Sequence, residues 1–201
     1  MVTSHKHVAH PKPMLWFSRD LPNLVSLAGL ASALLGIYYA ILGVYPAAMI
    51  GLVWAIAFDW LDGCVAKGMK GRTSEQSAYG ANLDSLIDIV SFGVAPAVVL
   101  LSIGRFDPWY LPGAFVILAA AAVRLSYFNV FGLAQDSSYR GLALDNNVIL
   151  LVALFVFRGA IGASAFAVVL YAMLMLLAAL NVSTLRTPKL SGNWYYAIVA
   201  R

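Results

Sequence analysis

Four aspartates stand at short intervals in the stretch AFDWLDGCVAKGMKGRTSEQSAYGANLDSLIDIVSFGVAP, residues 57–96. Asp59 and Asp62 are three apart, and Asp84 and Asp88 are four apart. On a helix either spacing puts both carboxylates on one face, and the loop between the two pairs lets those faces meet. All four lie beside or inside apolar runs. An ionised carboxylate at membrane depth costs at least about 2 to 3 kcal/mol, and four together repel one another, so positive charge has to lie among them. Lys67 and Arg124 are the protein cations at suitable depth, too few for four acids. An all-oxygen set without His or Cys favours Mg²⁺ or a similar hard cation over Zn²⁺, and four carboxylates can hold two ions as a clamp for phosphoryl chemistry. Two other readings stay open: surface acids paired weakly with loop lysines, and a proton or ion relay in a small transporter.

Small residues flank the acids. Gly63 follows Asp62, Gly80 precedes Asp84 by four, and Ala66 comes one turn after Asp62. Bare backbone at these places lets a ligand approach closely, although each position also suits plain helix packing. Taken with the carboxylates, they outline a ligand-shaped gap.

The chain that must position these groups has 201 residues, 62% hydrophobic and 11% charged, a composition outside the range of soluble domains. It reads as one polytopic membrane domain. The single cysteine, Cys64, rules out an intramolecular disulfide. The formal charge of +4 is scattered at the ends of apolar segments with no basic run interleaved with aromatics, which argues against nucleic acid as a partner.

Segments of roughly 20 apolar residues, the length that crosses a bilayer, can be marked off by charges, Gly and Pro. Six are expected, near residues 21–43, 46–66, 78–103, 108–131, 143–157 and 161–181; the fifth is the shortest and opens on Asn146 and Asn147. Barrel strands would be half as long and alternate in polarity. The expected fold is therefore all-α, a membrane bundle of six transmembrane helices over residues 21–185. An interfacial segment at 1–20 precedes it and a cytoplasmic tail at 186–201 follows. In the first of these, Met14, Leu15, Trp16 and Phe17 between Lys12 and Arg19 suit the headgroup layer. The apolar stretch after it is too long for a signal-peptide core and has no small-x-small cleavage site, so residues 1–20 are read as part of the mature chain. Gly29, Ala33 and Gly36 permit close helix packing. With the N-terminus in the cytoplasm, that side receives Lys6, Lys12, Arg19, Lys67, Lys70, Arg72, Arg140, Arg186, Lys189 and Arg201, against Arg105 and Arg158 on the other. Both termini and all four aspartates are then cytoplasmic.

The pattern Asp59-x-x-Asp62-Gly63-x-x-Ala66-Lys67, followed by Gly80-x-x-x-Asp84-x-x-x-Asp88, resembles the signature of the CDP-alcohol phosphotransferases. These are six-span membrane enzymes that move a phosphatidyl or related group from a CDP-linked lipid to an alcohol. Lys67 stands where the family usually has arginine, and the spacer to Gly80 is somewhat longer; a lysine keeps the charge but not the planar two-pronged donor. Within the family, LDSLIDIVSFGVAPA looks like the phosphatidylserine synthase branch (CDP-diacylglycerol–serine O-phosphatidyltransferase). LPNLVSL, VRLSYFN and YRGLALDNN are similar to runs of that branch, with Ala143 in place of a proline and Ser126-Tyr127 in place of Ala-Arg.

The resemblance implies that Asp59, Asp62 and Asp84 ligate two divalent cations, Mg²⁺ or Mn²⁺, on the pyrophosphate of CDP-diacylglycerol. It implies that Asp88 takes the proton of the acceptor hydroxyl while also touching a metal. Gly63, Ala66 and Gly80 would border the cytidine between Asp62 and Asp84, and Lys67 would meet a phosphate. The nucleotide comes from the cytoplasm, the side on which the charge count puts the acids. L-Serine as acceptor brings a carboxylate, for which Arg124 in the fourth span is the candidate cation, with Ser91 and Asn129 as polar helpers. The plainer roles are an ion pair between Arg124 and a site acid, and helix-to-helix hydrogen bonds for Ser91 and Asn129. Glycerol phosphate or inositol phosphate, the other acceptors weighed, would demand a cluster of basic residues; choline would demand an aromatic cage. Family resemblance also implies a homodimer.

Overall fold

The computed structural model describes residues 13–132 and 139–187, with backbone alone for 139, 140, 186 and 187. Residues 1–12 of the expected interfacial segment and 188–201 of the expected tail lie outside the described residues, and with them Lys6, Lys12, Lys189 and Arg201 of the charge count. Eight α-helices make up the described part: α1 (Met14–Ser18), α2 (Leu21–Ile41), α3 (Tyr45–Gly68), α4 (Ser74–Asp88), α5 (Ala95–Ile103), α6 (Leu111–Phe131), α7 (Asp145–Val156) and α8 (Ala163–Asn181). A π-helical turn, Ile89–Val94, joins α4 to α5. Apart from helix there is a two-residue antiparallel pairing of Tyr139 with Thr187 and Arg140 with Arg186.

Among the described residues, five helical stretches are long and apolar enough to cross a membrane: Leu21–Ile41, Tyr45–Gly68, Ser74–Ile103, Pro108–Phe131 and Ala163–Asn181. The fifth apolar segment of the sequence is helical, but α7 has 12 residues, about 18 Å of rise against a hydrocarbon core of about 30 Å. It is short because its polar start, Asp145-Asn146-Asn147, is held among other helices and its far end turns at Phe157 into a 3₁₀ turn, Arg158–Ala160. Leu34, Ile50, Val53, Val116, Val123 and Val168 are exposed on the outside of the spans, the pattern of a protein solvated by lipid.

Lipid tails are as apolar as leucine, so helix association here depends on close packing rather than on escape from water. Helices α2 and α3 form an antiparallel pair that shows this: a Cβ on Gly51 would come within 2.8 Å of the Gly36 nitrogen and 2.9 Å of the Ser32 carbonyl oxygen. Small residues at 29, 33 and 36 thus face the partner helix, as the sequence suggested. Leu52, Phe92, Val99, Leu100, Ile117, Val148, Phe166 and Leu170 fill the common core. Pro22, Pro46 and Pro112 fall in first turns, where a helix has no internal partner for the missing N–H.

Pro96 is different, because its helix is already under way. In α register its nitrogen would donate to the Phe92 carbonyl, and proline cannot. The chain widens into the π-helical turn there, and the Asn147 side-chain amide of α7 donates to the Phe92 oxygen instead, at 3.3 Å.

At the N-terminus, α1 exposes Met14 and Leu15, while Phe17 stacks on Tyr79 (5.3 Å between centroids) and Ser18 hydrogen-bonds the Tyr79 hydroxyl at 2.9 Å.

Candidate active site

The last turns of α3 carry Asp59, Asp62, Gly63, Ala66 and Lys67, and the chain then reverses through residues 69–73 into α4. A capping box fixes where α4 begins: the Gln76 nitrogen donates to Thr73 Oγ1 (3.2 Å) and the Thr73 nitrogen to Gln76 Oε1 (2.9 Å). A cap of this kind is worth about 1 kcal/mol. The register so set places Asp84 and Asp88 on the face of α4 toward α3. One carboxylate oxygen from each of Asp59, Asp84 and Asp88 lies within 4.8 Å of the others. The side chains are half-buried, and Asp88 Oδ1 is a buried atom without a hydrogen-bond partner among the described residues.

Asp62 stands differently. It is buried and accepts a short hydrogen bond from Ser26 of α2, whose hydroxyl also reaches the Pro22 carbonyl oxygen at 3.1 Å. Nothing in the sequence singles out Ser26, one small polar residue within LPNLVSL whose partner is 36 residues away. Asp62 remains close enough to repel the other three acids. Three of the four expected ligands thus converge directly, and the fourth borders them from a hydroxyl-anchored position.

Two unit charges 4.8 Å apart repel by about 3.5 kcal/mol at an effective dielectric of about 20. An all-oxygen donor set with an unsatisfied carboxylate oxygen fits a hard divalent cation, Mg²⁺ or Mn²⁺.

The expected nucleotide residues divide. Gly63 has open space where a side chain would be, Ala66 is half-buried and Lys67 is exposed. At Gly80, however, a Cβ would meet the Arg72 guanidinium and Asn23 Oδ1, each at 2.9 Å, so in the structure its bare backbone faces protein. Arg72 is held there by Asp20, Nε to Oδ2 at 2.7 Å. Among the expected acceptor residues, Arg124 and Ser91 are buried, and Ser91 Oγ has no partner among the described residues. Asn129 is exposed and accepts from Ser85 Oγ at 3.0 Å, the helix-to-helix bond that was its plainer reading.

The sequence profile of the CDP-alcohol phosphatidyltransferase family matches residues 19–188. Among curated proteins, the chain is 41% identical over 113 residues to the archaetidylserine synthase of Methanothermobacter thermautotrophicus, covering 55% of this chain and 47% of that protein. It is 38% identical over 99 residues to the CDP-diacylglycerol–serine O-phosphatidyltransferase of Methanocaldococcus jannaschii, covering 49% and 45%. To the protein of the same name from Saccharomyces cerevisiae it is 44% identical over 92 residues, covering 43% and 31%. The matched region spans less than half the length of each of these relatives.

Proposed function

Because the chain belongs to the CDP-alcohol phosphatidyltransferase family, we propose that it transfers the phosphatidyl group of CDP-diacylglycerol to the hydroxyl of L-serine and releases CMP. The observation that carries this reading is the convergence of Asp59, Asp84 and Asp88 within 4.8 Å, in a family whose substrate is a pyrophosphate. The relatives that bear the serine transferase name support serine as the acceptor.

In this reading the serine oxygen forms a new ester bond to the phosphorus that bears diacylglycerol. The anhydride bond breaks, and CMP leaves with the bonding pair. Asp88, with its unpartnered Oδ1, takes the hydroxyl proton, since an alcohol is a weak nucleophile at neutral pH. Two divalent cations held by Asp59, Asp62, Asp84 and Asp88 would neutralise the pyrophosphate and the charge developing on departing CMP. Ser26 holds the Asp62 carboxylate at the border of that site by hydrogen bonding one of its oxygens. Gly63 and Ala66 offer the nucleotide an unobstructed helix surface, and Lys67 offers a phosphate an exposed cation. Gly80 borders the cytidine only where the Arg72 side chain swings aside. Arg124 is assigned to the serine carboxylate, with Ser91 as a hydrogen-bonding neighbour and Asn129 at the rim. The excess of Lys and Arg at the ends that carry the acids supports a site open to the cytoplasm, with both termini on that side.

The test supplies detergent-purified protein with CDP-diacylglycerol, Mg²⁺ or Mn²⁺, and in turn serine, glycerol phosphate and inositol phosphate. CMP is expected with serine and is abolished by chelator. Release with another alcohol and not with serine overturns the acceptor assignment. No release with any of the three overturns the activity.

A further inference from the structure

Asp59 and Asp88 lie on different helices, so contacts made by their neighbours have to fix how far apart α3 and the α4–π junction stand. The first turn of α7 touches both. Trp60, next to Asp59, donates its indole N–H to Asp145 Oδ2 at 3.2 Å. The other oxygen of that carboxylate accepts from the Asn146 backbone nitrogen at 2.9 Å and from its side-chain amide at 3.2 Å, so the acceptor is held in place. Asn147 donates to the Phe92 carbonyl, one turn past Asp88, at 3.3 Å. Its own oxygen accepts from Asn181 of α8 at 3.1 Å, and because a backbone carbonyl only accepts, nitrogen and not oxygen faces Phe92. Asn147 is 1% exposed, so this bond is made away from solvent. Positions 145 and 147 are two apart, about 200° around a helix, and therefore point to opposite neighbours.

We propose that the first turn of α7 is a two-sided clamp that sets the separation of the two carboxylate-bearing helices, with Asp145 gripping α3 through Trp60 and Asn147 gripping the π-helical turn through the Phe92 carbonyl. Both act as positioning residues for the trio. The wide turn forced by Pro96 exposes the carbonyl that Asn147 takes, so the irregularity in the helix is itself the handle. Three carboxylates share a cation only at a narrow range of oxygen separations, so a small slip of either helix is felt as lost affinity.

The inference rests on the reading of the trio as a cation site, and its test measures binding as well as turnover. Mn²⁺ affinity of the purified full chain is read by electron paramagnetic resonance for wild type, Asn147→Leu, Trp60→Phe and a control, Ser102→Ala. Ser102 is buried and bonds the Ala40 carbonyl oxygen and the Tyr45 hydroxyl, away from the clamp. Loss of one clamp hydrogen bond is expected to weaken Mn²⁺ binding about tenfold, with a matching rise in the Mn²⁺ concentration for half-maximal CMP release, while the control stays within about twofold. Equal shifts in clamp and control variants, a shift in only one clamp variant, or none in either overturn the clamp. Should Asn147→Leu fail to fold, Trp60→Phe decides alone, at a side chain 57% exposed. Wild-type protein that binds no Mn²⁺ overturns the cation site and the clamp together; wild-type binding with unaffected variants overturns the clamp only.

Discussion

Replacing Asp84 with asparagine keeps the shape of the side chain and removes one charge from the acidic trio. In the metal-free protein Asp84 is repelled by Asp59 and Asp88, each within 4.8 Å at the ligand oxygens. The figure of about 3.5 kcal/mol per pair at an effective dielectric of about 20 falls to about 1 kcal/mol at the dielectric of water, which reaches these half-buried groups. Asp84→Asn should therefore stabilise the metal-free protein by about 2 kcal/mol, a rise of about 4 to 8 °C in melting temperature for a chain of this size. The sign reverses with metal. A divalent cation at one hundred times its dissociation constant stabilises the wild type by about 2.7 kcal/mol, and the variant should lose most of that gain. The assay is thermal unfolding of detergent-solubilised protein at pH 8, with chelator and with Mn²⁺. A variant that melts lower than wild type without metal, and gains as much as wild type with it, would show that the three carboxylates are not a cation site.

Asp88→Asn should lower turnover a hundredfold or more while retaining CDP-nucleotide binding better than Asp59→Asn, as read by titration calorimetry and CMP release; equal loss of binding in both would make Asp88 chiefly a ligand. Ser26→Ala should leave the buried Asp62 carboxylate short of a donor, costing about 1 to 3 kcal/mol in thermal unfolding, and Ser26→Thr should restore it. Arg124→Gln should raise the KM for serine about tenfold or more with little change in that for CDP-diacylglycerol, and a parallel rise in both would remove Arg124 from the acceptor site.

Most of the architecture was legible in the chain because the relevant signals are local. Apolar stretches bounded by Gly, Pro and charge marked the spans to within a few residues, except that α4 begins at Ser74 rather than near residue 78. The missed signal was the Thr73–Gln76 capping box, a four-residue pattern hidden in a polar loop. The fifth segment was expected to be short, but only the structure explains its polar start, which is occupied by contacts to Trp60 and Phe92. Gly80 shows the opposite case. Its smallness was readable and its neighbours were not, because Arg72 and Asn23 reach it from other parts of the chain.

What the sequence by itself determined follows from periodicity and composition: a helical membrane protein, carboxylates paired on two helix faces, and a spacing of acids and small residues that identifies the family. What the tertiary structure decided is how those faces meet. It brought Asp59, Asp84 and Asp88 to one point, gave Asp62 to Ser26, and bonded the first turn of α7 to Trp60 of α3 and to the Phe92 carbonyl of the π-helical turn. The reason is physical. Spacing along a chain fixes which side of its own helix a residue occupies, but the distance between two helices and their rotation about their axes are set by how close the small residues let them come and by which buried polar groups must find partners.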